Sequence, residues 1–161
     1  MGLFSRFAKS KDSGAINSPV KGKAKTLKSL KDGVFSEKMM GDGVVVSPAE
    51  GKFYAPISGT LTTVFPTGHA YGITDKNGVS VLVHIGLDTV NLKGEGFTPA
   101  VKQGQKVKQG DLLVEVDLDF VAKNAPTTDT VIVVTPETKG ETSILLNKGA
   151  VTTESKLIEV K

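Results

Sequence analysis

With 161 residues, the chain is long enough for one domain with a hydrophobic core and too short for two domains of ordinary size. It contains no cysteine, which excludes disulfides, thiolate zinc sites and cysteine nucleophiles and leaves two histidines as the main candidates for chemistry. The sequence has neither an apolar run of the roughly 20 residues that span a bilayer nor the pattern of a signal peptide, so we expect a cytoplasmic protein.

The formal net charge of +3 is distributed unevenly along the chain. Residues 1–31 carry eight Lys or Arg against one acid, whereas residues 32–161 carry twelve against sixteen. An acidic body does not fit a nucleic-acid-binding fold, because neutralising phosphates requires a basic surface on the domain itself. The basic segment instead suggests a membrane surface as a partner, or simple solubilisation.

Residues 1–31 are predicted to form a basic, flexible tail whose deletion leaves the fold intact. At its start, Leu3, Phe4 and Phe7 have helical spacing, which predicts a short amphipathic helix that needs a surface to lie on. Residues 10–29 are rich in Lys, Ser and Gly and have little to bury, which predicts a disordered linker. A frayed terminus without a function is the alternative. The predicted domain therefore covers residues 32–161.

From about Val34 onward, short β-branched runs such as GVVVSP and DTVIVVT are separated by Gly, Pro and Asp turns. This pattern predicts an all-β fold, an antiparallel sandwich or barrel with very little helix. Residues 119–125 (DFVAKNA) are the one predicted turn or two of helix, with Asp119 as its N-cap. No alternating βαβ pattern is present, which argues against a doubly wound nucleotide-binding fold.

Both histidines lie in one predicted hairpin, residues 69–86. Asn77-Gly78 between two alternating runs is a strong hairpin signal, because both turn residues tolerate positive φ. The predicted core face of the second strand consists of Val79, Val81, Val83 and Ile85. His84 is therefore expected to point away from the core.

The distance between His69 and His84 depends on the length of the hairpin loop. A two-residue loop places His69 on the same face as His84, one diagonal step away at roughly 7 to 8 Å between Cα atoms. A four-residue loop places the two histidines directly opposite each other. A three-residue loop or a bulge separates them onto opposite faces, and the sequence leaves these alternatives open.

Two imidazoles on one exposed face fit phosphoryl transfer through a phosphohistidine, metal binding or general acid–base catalysis. An imidazole nitrogen is a competent nucleophile at neutral pH, because its ordinary pKa is about 6.5. The alternative is a pair of surface histidines without a role. That alternative is weakened because the chain places its only two histidines in a single hairpin.

The strings TGHAYGI (67–73) and VLVHIGLDTVNLKGEGF (81–97) resemble the glucose-class enzyme IIA family of the bacterial sugar phosphotransferase system. Further similarity at residues 34–46, 55–61 and 101–118 extends the resemblance over nearly the whole body. It implies a β-sandwich with two pseudo-symmetric, interlocked halves, which agrees with the strand pattern.

The resemblance also implies roles for the residues of the hairpin. His84 would accept a phosphoryl group on Nε2 from the phosphorylated histidine-containing carrier protein and pass it to a cysteine in the IIB domain of a sugar permease. His69 would donate a hydrogen bond to the phosphoryl oxygens, and Thr67 would fix the ring of His69.

Four further residues match positions through which the family binds its partners. The acids Asp32 and Asp88 would face basic residues of the partners, and Phe35 and Phe65 would be apolar positions around the site. Regulated metabolic enzymes are additional candidate partners. The start of the chain is similar to that of enteric members, which implies that residues 1–9 bind anionic lipid at the inner face of the membrane.

Phosphoryl transfer of this kind requires no cofactor. A zinc ion held by His69, His84 and a partner's carboxylate at an interface is a lesser hypothesis. Biotinyl and lipoyl carrier domains are a rival, but Lys38 is a poor match to their modified lysine. A zinc peptidase is another, although it needs three protein ligands. The third rival is a regulatory protein whose partners are selected by the phosphorylation state of His84.

Overall fold

Antiparallel strands make up most of residues 15–161, the part of the chain that the computed structural model describes. The strands are β1 (Ala15–Asn17), β2 (Gly22–Thr26), β3 (Asp42–Pro48), β4 (Lys52–Tyr54), β5 (Gly59–Val64), β6 (Ala70–Thr74), β7 (Ser80–Leu87), β8 (Phe97–Pro99), β9 (Lys106–Val107), β10 (Leu112–Val116), β11 (Thr127–Val134), β12 (Thr142–Ile144), β13 (Gly149–Val151) and β14 (Lys156–Val160). The helices are α1 (Leu118–Asn124) and two 3₁₀ helices, Leu27–Leu30 and Thr89–Leu92. The predicted all-β antiparallel class is confirmed, while the pseudo-symmetry of its halves stays a prediction.

The strands form one large sheet and two small ones. The large sheet has eight strands in the order β13-β2-β3-β11-β7-β6-β5-β9, and the three-stranded sheets have the orders β1-β14-β12 and β4-β10-β8. Side chains alternate between the two faces of a strand, so one face of the large sheet packs into the main core. That face includes the predicted residues Val79, Val81, Val83 and Ile85, all of which are buried.

The opposite face of the large sheet carries a second, smaller apolar cluster. Val45 of β3 and Val131 and Val133 of β11 pack there with Leu27 and Phe35. His84 lies on the same face of β7, where it is paired with Val131 of β11 on one side and Ala70 of β6 on the other. The histidine therefore stands on a central strand, held from both sides by backbone hydrogen bonds.

The domain boundary predicted at residue 31 was wrong. β1 pairs with β14, and β2 lies between β13 and β3 in the large sheet. Ile16 and Val20 are fully buried. The backbone hydrogen bonds of these short strands are made with distant strands, so a Lys-rich local composition does not reveal them. The predicted tail residues 1–14, with the amphipathic start, lie outside the described residues.

A partly buried carboxylate reinforces the docking of β2. Lys25 of β2 donates from Nζ to Asp129 Oδ2 at 2.7 Å, and Ser47 Oγ of β3 donates to Asp129 Oδ1 at 2.7 Å. The Asp129 side chain is only 17% exposed, so solvent screens this ion pair less than a surface pair. One side chain of β11 thus connects β3, its neighbour in the sheet, with β2, the next strand beyond β3.

The predicted helix is confirmed, but its N-cap was wrong. α1 begins at Leu118, and the side chain of Asp117 accepts a hydrogen bond of 3.1 Å from the Phe120 N–H. Asp119 lies in the first turn instead, where a negative charge is favourable because the N-terminal N–H groups point toward it. None of the helices within residues 15–161 is long and apolar enough to cross a bilayer.

These contacts predict opposite results for two truncated chains. A chain that starts at Ala15 should keep the thermal unfolding temperature of the full chain, whereas a chain that starts at Asp32 should not fold. The second truncation removes the buried side chains of Ile16, Val20 and Leu27. At about 1.5 to 3 kcal/mol each, this loss is comparable with the whole unfolding free energy of a small domain. Thermal melts followed by circular dichroism measure the stability of both truncated chains. Equal melting temperatures for the two would contradict the assignment of β1 and β2.

Candidate functional site

The hairpin that carries the histidines has a loop of odd length. Thr74 lies opposite Ser80 and Ala70 lies opposite His84, and the Asp75 N–H donates to the Val79 carbonyl at 2.9 Å, leaving residues 76–78 as the loop. The hairpin itself is thus confirmed, but the two registers with even loops were wrong.

The side chain of Asp75 explains the odd loop. Its Oδ1 accepts hydrogen bonds from the N–H groups of Asn77 at 2.8 Å and Val79 at 2.9 Å, the pattern of an Asx turn. Gly78 has a φ of 85°, in the left-handed region. A three-residue hairpin loop requires such a residue at this place, and a two-residue loop would leave the Asp75 carboxylate without these partners.

The histidines are nevertheless in contact. Their ring centroids are 5.0 Å apart, with the ring planes at 82°. His69 lies in a bend just before β6, after Gly68 with a φ of 75°, so the alternation of side chains along a strand does not apply to it. Its carbonyl accepts the Ile85 N–H at 2.8 Å. The expectation that a three-residue loop separates the histidines was therefore also wrong.

The hydrogen bond of His84 determines which of its ring nitrogens is free. Nδ1 lies 2.8 Å from the Gly86 carbonyl oxygen. A carbonyl oxygen can only accept, so Nδ1 carries the hydrogen, and the neutral ring has its lone pair on Nε2. The ring of Phe35 packs against His84 with centroids 5.2 Å apart. The ring of His84 is thus fixed in orientation, and Nε2 is its nucleophilic nitrogen.

His69 is buried between polar and aromatic neighbours. It is 2% exposed, its Nδ1 lies 2.6 Å from Thr67 Oγ1, and its ring packs edge-on against Phe65 at 5.2 Å. The Thr67 hydroxyl can donate to Nδ1 or accept from it. When it donates, the hydrogen of the neutral ring resides on Nε2, and His69 becomes a hydrogen-bond donor on that side. The structure thus brings Thr67, His69, His84, Phe35 and Phe65 together.

Two comparisons with known proteins show which family the chain is similar to. The family model of the phosphoenolpyruvate-dependent sugar phosphotransferase system, EIIA 1, matches residues 14–140. A solved structure of the glucose permease IIA from Mycoplasma capricolum is similar, with a TM-score of 0.84 and 42% sequence identity over 89% of this chain and 94% of that chain. The chain belongs to this family. It is a glucose-class IIA component and thereby a phosphotransferase component of the sugar phosphotransferase system.

In this glucose-class IIA component, burial and the polar neighbours of His84 shift its pKa in opposite directions. Burial lowers the pKa of His84, and the Gly86 carbonyl, Asp32 and Asp88 raise it without cancelling the effect of burial. Burial lowers the pKa of His69 further, to about 4, and the neighbouring His84 contributes to this shift. Both rings are therefore neutral at pH 7.

Asp32 has a structural task that the sequence did not indicate. Its carboxylate accepts hydrogen bonds from the N–H groups of Val34, Phe35 and Ser36 at 3.3, 3.1 and 2.8 Å. Burial pushes the pKa of Asp32 upward, but these hydrogen bonds prevail, and the pKa lies below its ordinary value. The acid thus holds the turn that places Phe35 against His84.

Exposed apolar side chains border the site, and sequence reasoning missed most of them. Met39, Met40, Phe65 and Leu82 line one cleft of about 460 Å³, and Val34 and Val90 are exposed in the chain segments beside Phe35 and Asp88. The run VFSEKMM (34–40) could have indicated these residues. Its apolar residues do not follow the alternating pattern that would bury them in a strand. An apolar border of this kind suits a surface that docks another protein.

The depressed pKa values predict that stability falls in mild acid. A folded-state pKa below the unfolded value means that the unfolded chain binds more protons between about pH 6.5 and pH 4. The unfolding free energy should therefore be highest above pH 6.5 and decrease as the pH falls toward 4. Urea melts across this range measure the effect. The His69→Gln variant is the control, and an unchanged pH profile in it would show that His69 is not the titrating group.

Proposed function

We propose that the protein accepts a phosphoryl group on Nε2 of His84 from the phosphorylated histidine-containing carrier protein. It then transfers the group to a cysteine in the IIB domain of a glucose-type permease and so supports sugar uptake. The observation that carries the proposal is the 2.8 Å hydrogen bond from His84 Nδ1 to the Gly86 carbonyl, which leaves the Nε2 lone pair free beside a second imidazole.

The proposed transfer balances without a further reactant. The His84 Nε2 lone pair forms a bond to phosphorus, while the N–P bond of the donor breaks and its electron pair returns to the donor imidazole. The His84 ring then carries a positive charge, which the Gly86 carbonyl stabilises through Nδ1–H. In the second step the thiolate sulfur of the cysteine bonds to phosphorus, and the Nε2–P electron pair returns to His84, whose ring becomes neutral again. Such transfers depend mainly on positioning and charge stabilisation.

His69 is proposed to stabilise the phosphoryl oxygens during transfer. With Thr67 donating to Nδ1, the Nε2–H of His69 is a donor in a water-poor setting, where a hydrogen bond to developing charge is strongest. The pKa of about 4 keeps this ring neutral, so its tautomer is controlled by Thr67 rather than by protonation. The contact with Phe65 holds the ring plane.

The surface around the histidines is proposed to dock both protein partners in turn. Exposed apolar side chains, among them Val34, Met39 and Phe65, surround the site. Asp32 and Asp88 lie close enough to raise the pKa of His84, so they place negative charge at the site itself. Basic residues of the carrier and of the IIB domain would complement these acids, which speeds encounter more than it strengthens binding.

Labelling of single variants tests the roles of the histidines. After incubation with phosphoenolpyruvate, enzyme I and the carrier protein, the parent chain should gain an acid-labile, base-stable phosphoryl group. His84→Ala should gain none. His69→Gln should still be labelled but should transfer to the IIB domain about 100-fold more slowly, because one donor to the phosphoryl oxygens is lost. Mass spectrometry and phosphorus NMR detect the adduct. Labelling of His84→Ala but not of a His69 variant would reverse the assignment.

Residues 1–9 are proposed to bind anionic membranes. The sequence spacing of Leu3, Phe4 and Phe7 would place them on one face of a helix formed at the membrane surface, and Arg6 and Lys9 add positive charge. Each basic residue near the surface contributes about 1 kcal/mol, screened by salt. Vesicle co-sedimentation should show that the full chain binds anionic vesicles and that the chain starting at Ala15 does not. Equal binding of the two chains would contradict the proposal.

An interface zinc site remains a second candidate use of the same residues. No group of three or more His, Cys, Asp or Glu side chains within residues 15–161 could hold a metal ion. His69 and His84 could supply two ligands through their Nε2 atoms if the Thr67 hydroxyl accepts the hydrogen of His69 Nδ1, and a carboxylate of a regulated enzyme would have to supply a third. This hypothesis is favoured only by the 5.0 Å separation of the two rings.

A further inference from the structure

A buried hydroxyl holds the turn that follows His84, and the proposed reaction does not use it. Thr89, the first residue of the second 3₁₀ helix, is completely buried. Its Oγ1 donates to the Ile85 carbonyl at 2.7 Å. The hydroxyl therefore closes the chain back onto the residue that directly follows His84.

The methyl group of Thr89 packs against Gly86. A Cβ added to Gly86 would lie 2.6 Å from Thr89 Cγ2 and 2.8 Å from the Thr127 carbonyl oxygen. Gly86 also has a φ of 74°, in the left-handed region that favours glycine. The side chain of Thr89 thus occupies the space that a side chain at position 86 would need, so Thr89 packs directly on the Gly86 backbone.

The two contacts of Thr89 act on one short piece of backbone. The Ile85 carbonyl and the Gly86 nitrogen belong to the same planar peptide group, so a hydrogen bond to that carbonyl holds the whole plane. The Ile85 N–H is held in turn by the His69 carbonyl at 2.8 Å. With both sides of Ile85 held, the next carbonyl, that of Gly86, lies 2.8 Å from His84 Nδ1.

We propose that Thr89 is a positioning residue that holds the Gly86 carbonyl against His84 and thereby selects the Nδ1–H tautomer of the ring. In water, neutral histidine favours the other tautomer, with the hydrogen on Nε2, which would block the nucleophilic nitrogen. The consequence for phosphoryl transfer rests on the proposed function, whereas the effect on the tautomer does not.

Two substitutions separate the hydroxyl of Thr89 from its methyl group. Thr89→Val keeps the volume and loses the hydroxyl, so the Nε2–H tautomer of His84 should become populated. Phosphoryl acceptance should then slow about tenfold, by analogy with the loss of partners that orient metal-bound histidines. Thr89→Ser keeps the hydroxyl and should retain the parent tautomer. Nitrogen-15 NMR of the imidazole rings measures the tautomer in the unphosphorylated full chain.

Ser18→Ala is the matched control for the loss of a buried hydroxyl. Ser18 is 1% exposed, and its Oγ donates to the Val20 carbonyl at 2.6 Å in the loop after β1, a strand of a different sheet. This variant should lose stability without any change in the His84 ring signals. The control distinguishes a general loss of stability from a specific effect on the tautomer.

The proposal is overturned if Thr89→Val keeps the parent tautomer and transfer rate, even at a lower melting temperature. Thr89→Ala replaces it as the hydroxyl-free variant if the valine variant does not fold, with the same expected shift. An Nε2–H tautomer in the parent chain would also overturn the proposal. Absence of phosphorylation in the parent chain would instead overturn the proposed function and leave the tautomer measurement valid.

Discussion

The site depends on the hydrogen bond between His84 Nδ1 and the Gly86 carbonyl. A side chain seldom bonds to a carbonyl two residues ahead along a regular strand, because that carbonyl faces the neighbouring strand. It becomes accessible here because Gly86 has a φ of 74° and turns the end of β7 out of the regular ladder. One bond therefore orients the ring, places the hydrogen on Nδ1 and leaves Nε2 as the free nitrogen.

The large sheet supplies the rigid base on which this bond can act. His84 stands on β7 between β6 and β11, with the main core beneath it and the smaller cluster of Leu27, Phe35 and the β3 and β11 valines beside it. Burial in this setting lowers the pKa of both histidines more than the nearby acids raise that of His84. When both rings are neutral, His84 has a lone pair on Nε2. His69 can then donate a hydrogen bond without placing a second positive charge beside His84.

The N-terminal segment contributes to the site as well as to the fold. β2 leads into the first 3₁₀ helix, whose Leu27 packs on the face that carries His84, and the turn held by Asp32 then brings Phe35 to the ring. Asp32 thus affects His84 both through its charge and through the placement of a neighbour. The acids and exposed apolar side chains such as Phe65 lie close to the two histidine rings, which suits the proposed docking of two protein partners at one place.

Local patterns in the sequence determined much of this description. Alternation in β7 identified its buried face, Asn77-Gly78 identified the hairpin, and the string at residues 81–97 indicated the family and with it the candidate residues. The tertiary structure alone decided the register, because Asp75 caps a three-residue loop, and the contact of the histidines, because His69 precedes its strand. It also decided that residues 15–31 are folded. Short strands such as β1 and β2 depend on hydrogen bonds to β14 and β13, strands far along the chain, and a local pattern carries no record of such partners.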